Sequence, residues 1–530
     1  MLLESAELEF AERFSRFIYA NPFLTDELKT RRDDVLAVHL DLRAEEAARP
    51  PLESGEHSKL NLIVRRSEAL LERLKSRLRS GTVDSNDRDI SLYIDLVVGS
   101  LYLRTFENRV PLLEAGDGTG RVRSYRVFAQ WCRDWTDVPV ALVPIFNDPA
   151  HLFAIYFQLR RAIELMHSLI QGNSRPITLL RASLWNSIFP HKLRLYGSLL
   201  YNRMHEVTTL ILGPSGTGKE LVATAIGLSR FVPFDAKRER FTEAFGGAFY
   251  PINLSAMPRD LIESEMFGHC AGSFTGATKD RVGWFEKCAL GHTVFLDEIA
   301  ELDAWVQVKL LRVLQNREFY RVGETEPRRF HGRVIAATNR DFGQEIAAGR
   351  FRQDLFYRLC SDVVRTPSLR EQLDDCPSDL PFLVKLVAAR CLGSMAEPEQ
   401  IEWLTNLTVE KILASPELGT TYSWPGNFRE LEQCVRNVMV RGEYHPAIFA
   451  QGTSAVASAA TSGTSNPALD AFLRRVRAGE VTFDELLENY CSLIFSRSSS
   501  LNDAAKRLGK HRATVESRIV QELVAAFRQG

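Results

Sequence analysis

The sequence predicts a multidomain chain: a helical N-terminal region, an α/β domain on a parallel sheet with a helical lid, and an all-α helix-turn-helix domain at the C-terminus. Three observations predict it. Between about residues 178 and 365, short β-branched runs alternate with helical stretches, the pattern of a parallel sheet covered on both faces. On the N-terminal side, apolar residues recur at three and four in segments such as Leu60 to Leu78 and Leu152 to Ile170, which argues helix. Near the end, Gln451 to Asn466 is rich in Ser, Ala, Gly and Thr, with Val456 its one large aliphatic residue, and reads as a linker before a last helical unit.

Composition bounds the function. At roughly 150 residues per domain, 530 residues exceed a single core. The 66 Lys and Arg against 67 Asp and Glu leave a formal net charge of −1, and 45% hydrophobic with 25% charged residues is ordinary globular composition. Wholesale disorder, collagen and a polybasic nucleic-acid coat are excluded. No stretch approaches the roughly 18 uninterrupted apolar residues of a membrane helix, and the acidic start from Met1 to Phe10 lacks the basic n-region of a signal peptide. None of the eight cysteines forms a CxxC pair, which argues against zinc and redox motifs. A cytoplasmic chain with reduced thiols and no membrane partner is expected.

The elements follow in order. Residues 1–177 form the helical N-terminal region, with turn-rich breaks at Arg49 to Gly55 and Glu114 to Gly120. In residues 178–365 a strand at Val207 to Leu212 precedes a helix at Glu220 to Leu228. A strand at Thr293 to Leu296 precedes a helix at Ala304 to Leu314, and a third strand runs from Arg333 to Ala337. Residues 366–448 return to helix as a lid, 449–466 form the linker, and 467–530 form the terminal domain.

The chemistry begins at Gly213, Pro214, Ser215, Gly216, Thr217, Gly218 and Lys219, between the first strand and its helix. There the glycines let backbone amides turn inward on phosphates, and Lys219 neutralises β and γ oxygens beside the helix N-terminus. The Ser or Thr that usually follows the lysine and ligates magnesium is Glu220. The second half of the site is the apolar strand that ends in Asp297 and Glu298. Asp297 is expected near the magnesium ion, with Glu298 orienting or activating an attacking water.

The segment Leu261 to His269, followed by Gly272, Ser273, Phe274, Thr275, Gly276 and Ala277, closely resembles the bacterial enhancer-binding proteins, AAA+ activators of sigma-54 RNA polymerase. Their hallmark is a GAFTGA loop, and this chain has GSFTGA; Lys-Glu at the end of the phosphate loop is also usual there. The likeness runs from about 180 to 445. It implies an AAA+ P-loop ATPase that takes ATP and Mg2+ in a homo-oligomeric ring, with a hexamer expected. It further implies that Asn253 holds Glu298 inactive until the γ-phosphate is sensed, that Thr338 and Asn339 lie near that phosphate, and that Arg429 contacts the nucleotide from the lid. Arg352 and Arg358 look like the pair that reaches a neighbouring subunit's nucleotide, although spacing alone would pair Arg352 with Asp354. Residues 272–277 would contact the sigma factor through Phe274, a simple turn with Phe274 buried being the other reading. The N-terminal region would then be regulatory. Two departures stand out: Ser273 replaces Ala, and the connection between Gly227 and Pro251 is long, which suggests a surface insertion.

At the C-terminus, Leu501 to Leu508, Gly509 and a second helix from His511 to Leu523 read as a helix-turn-helix. Ala504, Ala505 and Leu508 would face Val515 and Ile519. From Arg497 to Gly530 seven basic residues face three acidic ones. The second helix would present Arg512, Thr514, Ser517 and Arg518 to the major groove of double-stranded DNA, with Lys506, Lys510 and His511 near phosphates. The segment is similar to the Fis-type domains that end many enhancer-binding proteins. The expected function is an ATP-dependent activator that binds upstream DNA and remodels the sigma-54 RNA polymerase holoenzyme. An AAA+ remodeller of a different client and a non-hydrolysing DNA-binding regulator are the alternatives.

Overall fold

The structure is a computed structural model that describes residues 2–40, 56–80, 87–107, 114–138, 148–190, 193–415, 417–418, 422–446, 472, 475, 481–496, 498 and 500–528. The linker expected at 449–466 and the break at Arg49 to Gly55 lie outside the described residues. The chain divides into two compact units, Met1–Tyr444 and His445–Gly530.

The first unit opens with helices α1 (Ser5–Ile18), α2 (Thr25–Ala37), α3 (Glu56–Ser80), α4 (Asp87–Glu107), α5 (Tyr125–Thr136), α6 (Pro149–Leu169), α7 (Arg175–Ile188) and α8 (Leu193–Ser198). Local chemistry sets their starts. Glu4 and Glu7 form a capping box at α1. Asp148 accepts from the amides of Ala150 and His151 at 3.0 and 3.1 Å, and Pro149 occupies the first turn of α6.

The α/β fold follows: β1 (Thr209–Leu212), α9 (Lys219–Leu228), β2 (Phe234–Asp235), β3 (Arg240–Phe241), β4 (Phe249–Asn253), α10 (Arg259–Phe267), β5 (Gly268–His269), β6 (Arg281–Val282), α11 (Trp284–Lys287), β7 (Thr293–Asp297), α12 (Ala304–Asn316), β8 (Glu318–Phe319), β9 (Arg328–Arg329), β10 (Arg333–Thr338), α13 (Phe342–Ala347), α14 (Gln353–Leu359) and β11 (Asp362–Arg365). Five strands pair in parallel in the order β11-β1-β10-β7-β4. Because side chains alternate along each strand, Leu210, Val294, Leu296, Val334 and Ala336 share a core with residues of α10, α12 and α14. Ile211, Phe295, Ile335, Ala337 and Val364 face the other way, onto α9. The lid comprises α15 (Leu369–Asp375), α16 (Asp379–Leu392), α17 (Pro398–Ala414) and α18 (Asn427–Arg441), around Leu383, Val384, Leu404 and Leu431.

Two features differ from the sequence expectation. The helical region does not stop at residue 177: α7 crosses that position, and the core running from Leu2 through Trp185 continues without a break into Val222, Ile226 and the sheet. The long connection between Gly227 and Pro251 is not a surface insertion. Its strands β2 and β3 form a hairpin whose Phe234 and Phe241 are buried, with ring centroids 4.9 Å from Phe153 and 4.5 Å from Phe157 respectively. Glu239 at the hairpin tip pairs with Arg121 at 2.7 Å and with Arg126, and its carbonyl accepts from the amide of Val122 at 2.7 Å. Such contacts join segments more than 80 residues apart, so no local pattern announces them.

The second unit holds α19 (Phe483–Ser496), α20 (Leu501–Leu508), α21 (Arg512–Glu516) and α22 (Gln521–Arg528). Ser500 caps α20 by accepting from the amide of Asp503 at 3.2 Å, and Gly509 ends it at φ 61°, a left-handed value that favours glycine. Ala504, Ala505 and Val515 are buried together, with Leu508 and Ile519 against them. The second helix is shorter than expected. The segment from His511 to Leu523 breaks after Glu516 and restarts at Gln521, with the amide of Val520 donating to the Ser492 hydroxyl at 3.0 Å.

Candidate functional site

The C-terminal ends of β1, β4, β7 and β10 lie side by side, where parallel α/β sheets place their ligands. Leu212 is level with Thr338, and Asp297 is level with both Asn253 and Ala337. This register brings the loop 213–219, Asp297, Glu298, Thr338 and Asn339 to one edge. The loop turns through left-handed glycines at Gly216 (φ 78°) and Gly218 (φ 84°). A Cβ on Gly216 would sit 2.3 Å from the Gly426 carbonyl, so no other residue fits beneath the lid there.

Lys219 is 7% exposed and its Nζ donates to the carbonyls of Gly213 at 3.0 Å and Pro214 at 3.3 Å. Burial lowers its pKa, and Glu298 and Asp297 oppose that shift. Asp297 moves the other way: burial first, then the neighbouring Glu298 charge, raise its carboxyl above the usual range. Two carboxylates facing one lysine thus carry a like-charge strain that a cation would relieve. Glu220 lies exposed on the first turn of α9.

Glu298 adopts a left-handed backbone at φ 55°, a conformation whose cost is commonly retained at functional sites. Its Oε2 accepts from the Thr338 hydroxyl and from the Asn339 amide, each at 3.3 Å. The expected Asn253 contact is different. Asn253 Oδ1 accepts from the amides of Ser255 and Ala256 at 3.0 and 3.2 Å and from the Ser255 hydroxyl at 2.7 Å, because it caps the 3-10 turn Leu254–Ala256. In this conformation the side chains of Thr338 and Glu298 meet, and Asn253 serves its own turn.

The lid closes on the loop through adjacent residues. Arg429 Nη1 donates to Ser215 Oγ at 2.9 Å, Asn427 Nδ2 donates to the Ser215 carbonyl at 2.9 Å, and the Phe428 amide donates to the Gly216 carbonyl at 3.1 Å. Just past β11, the Thr366 hydroxyl lies 2.7 Å from that of Thr217. Sequence reasoning missed Asn427 and Thr366. Asn427 sits in the motif that carries Arg429 and could have been found there; Thr366 carries no local signal.

Arg352 and Arg358 flank and end α14, both exposed. In the single chain Arg352 makes two bonds to Asp354, Nε to Oδ1 at 3.0 Å and Nη2 to Oδ2 at 2.7 Å, the pairing that spacing alone suggested. The loop 272–277 projects from the same α/β fold. It turns through Gly272 (φ 79°) and Gly276 (φ 99°), and the Gly272 amide donates to the Ala277 carbonyl at 2.7 Å. Phe274 is not buried: 40% of it is exposed, with its ring 4.9 Å from that of His269. Ser273 packs over Gly323, where a Cβ would come within 2.6 Å of the Ser273 Cβ, and its hydroxyl is buried without a hydrogen-bond partner. Thr275 lies exposed beside them.

In the second unit Lys510, Arg512, Thr514 and Ser517 are exposed along and around α21. Arg518 departs from the expectation. Its Nη1 donates to Asp484 Oδ1 at 2.6 Å with Glu488 3.9 Å away, so the guanidinium is drawn onto the acidic start of α19.

The sheet order, the phosphate loop and the strand-end acids define the α/β core of an AAA+ protein. Residues 197–364 match the family model described as Sigma-54 interaction domain. Over this segment the chain is similar to proteins that carry that domain. It is 43% identical over 235 residues to the Nif-specific regulatory protein of Enterobacter agglomerans, covering 44% of this chain and 40% of that protein. It is 42% identical over 233 residues to the DNA-binding transcriptional regulator NtrC of Azospirillum brasilense, 44% of this chain and 43% of that one. With the anaerobic nitric oxide reductase transcription regulator NorR of Aeromonas salmonicida the identity is 37% over 267 residues, 49% and 47% respectively. The chain therefore spans less than half the length of these relatives. Among the described residues, no helix is long and apolar enough to cross a membrane.

Proposed function

We propose that the chain is an ATP-driven transcription activator that binds upstream double-stranded DNA through its C-terminal unit, assembles a ring, and remodels the sigma-54 RNA polymerase holoenzyme. The observation that carries this reading is the meeting of the loop 213–219, Asp297, Glu298 and Thr338 at one sheet edge. On the same α/β fold the loop 272–277 exposes Phe274.

In this reading the amides of residues 213–218 and the Lys219 ammonium bind the phosphates of ATP. Asp297 would hold Mg2+, which when bound supplies charge neutralisation on the phosphate oxygens. Glu298 orients water and takes its proton. Thr338 and Asn339, which hold Glu298 in the structure, link its position to the γ-phosphate. Arg429 reports lid closure through Ser215. Arg352 and Arg358 act on a neighbour's nucleotide in the ring, a hexamer by family likeness; a guanidinium supplied in trans is worth about 10³ to 10⁵ in rate elsewhere. Lys510, Arg512, Thr514 and Ser517 meet DNA.

The test is direct engagement of sigma-54 by the ring carrying a transition-state mimic of ATP. Wild type is expected to bind the factor, and Phe274→Ala or Thr275→Ala to lose it while ATP binding and ring formation persist. Loop variants that keep full activation of a sigma-54 promoter would transfer the assignment to another client.

A further inference from the structure

The described residues of the N-terminal helices line a partly open, mostly apolar cavity of 300 Å³. Leu28, Leu60, Leu103 and Ile163 contribute from four helices, and Trp185 of α7 and Leu193 of α8 contribute from the segment that leads into the sheet. Protein interiors rarely leave such a volume, because an unfilled apolar space forfeits dispersion contacts around its whole lining.

Three polar side chains of the wall are spent within it, and His167 sets its ring against Phe23 with centroids 5.3 Å apart. Tyr19 donates its hydroxyl to Asp95 Oδ1 at 2.6 Å, Arg194 donates to the same carboxylate and to the Ser91 carbonyl at 2.8 Å, and Tyr156 donates to the Val98 carbonyl at 2.6 Å. A charged guest would give up its water to a mostly apolar wall, so the wall favours a neutral one. An apolar cavity of about 150 Å³ holds a benzene. Twice that volume suits two fused aromatic rings or a comparable aliphatic chain.

The helix that carries Trp185 is tied to the nucleotide fold at both ends. At its start, Asp379 of the lid accepts from the amides of Asn173 at 2.6 Å and Ser174 at 3.1 Å, and Asp375 accepts from the Arg175 amide at 2.6 Å. Negative charge at a helix N-terminus is favourable, which makes this a firm attachment. Near its end, the Ser187 carbonyl accepts from Arg333 at 3.0 Å, and Arg333 also donates to Thr209 at the start of β1 at 2.7 Å. The lid held by Asp379 is the one that sets Arg429 and Asn427 on the phosphate loop.

We infer that this cavity is an effector site for a neutral, largely apolar small molecule, and that its occupancy is coupled to the nucleotide site through α7. The coupling half rests on the ATPase reading above; the binding half does not.

The probe is N-phenyl-1-naphthylamine, a neutral fused-ring fluorophore, titrated into the full chain. Ile163→Trp and Leu28→Trp fill the cavity from α6 and α2, and Leu62→Trp, at an exposed position of α3 that does not line it, is the control. Saturable one-to-one binding is expected for wild type and control, weakened about tenfold or more in whichever filled variants melt like wild type. No saturable binding by wild type, or undiminished affinity in a folded filled variant, overturns the site. A fluorescent ATP analogue is then titrated with and without saturating probe. A change of about fivefold in its affinity is expected, with the same factor seen reciprocally for the probe. Unchanged nucleotide affinity overturns the coupling. Failure of the analogue to bind even without probe would instead sink the ATPase reading, leaving the cavity to be decided by the probe titration alone.

Discussion

Arg161 of α6 reaches the far end of the phosphate-loop helix, where its Nη2 donates to the carbonyl of Leu228 at 2.8 Å. The same nitrogen donates to Arg230 at 2.6 Å, and Gln158, one turn earlier, donates to Ser229 at 2.8 Å. The last carbonyls of α9, which have no partners within the helix, are thus capped by the N-terminal helices, and a cation sits at the negative end of the helix dipole. Burial is the main cause of the Arg161 pKa falling to about 9, with Arg230 adding to it.

Arg161→Ala is therefore expected to lower stability by roughly 1–3 kcal/mol, the cost of leaving buried carbonyls unpaired. Denaturant unfolding of the full chain measures it. A loss within a few tenths of a kcal/mol would mean that water replaces the guanidinium at no cost and that the cap is incidental.

Glu298→Gln keeps the shape of the side chain and removes its basic lone pair. ATP binding is expected to persist while turnover falls to background. Lys219→Ala is expected to lose binding itself, since its ammonium is the cation buried in the loop. Equilibrium binding and phosphate release, measured side by side, separate the two. Hydrolysis at the parental rate by Glu298→Gln would remove Glu298 from the reaction.

Arg358→Ala and Lys219→Ala subunits fail for different reasons, one lacking the imported guanidinium and the other the phosphate lysine. Mixed rings are expected to regain part of the ATPase rate, because an intact Lys219 site can receive Arg358 from its neighbour. Absence of recovery in rings shown to be mixed would place these arginines outside the neighbour's site.

Arg512 and Arg518 are expected to behave differently despite both being basic and six residues apart. Arg512→Ala should weaken specific DNA binding by about 1–3 kcal/mol if it reads a base edge. Arg518→Ala should instead act on the C-terminal unit's melting temperature, because the side chain is held by Asp484. Footprinting and thermal melts of both variants decide the matter; equal DNA defects with unchanged melting would return Arg518 to the interface.

What was legible in the sequence is what depends on adjacent residues. The loop 213–219 has its turns written in glycines, and the apolar run 293–296 followed by two acids is a strand end whatever surrounds it. The hinge at Gly509 and the small Ala504 and Ala505 likewise state a close helix crossing within ten residues.

Tertiary structure alone decided the rest. Arg518 looks like a groove-facing residue in a helical projection, but the break after Glu516 turns it toward Asp484, 34 residues away. Asn253 could face Glu298 or its own turn, and the geometry of the Leu254–Ala256 turn chose the latter. The hairpin 234–241 reads as a surface insertion because Phe234 and Phe241 are separated by charged residues; distant rings, Tyr125, Phe153 and Phe157 among them, make them core. The junction of the N-terminal helices with the sheet, and the cavity within those helices, come from faces many residues apart. Burial energy depends on which surfaces meet, and a sequence pattern names a face without naming its partner.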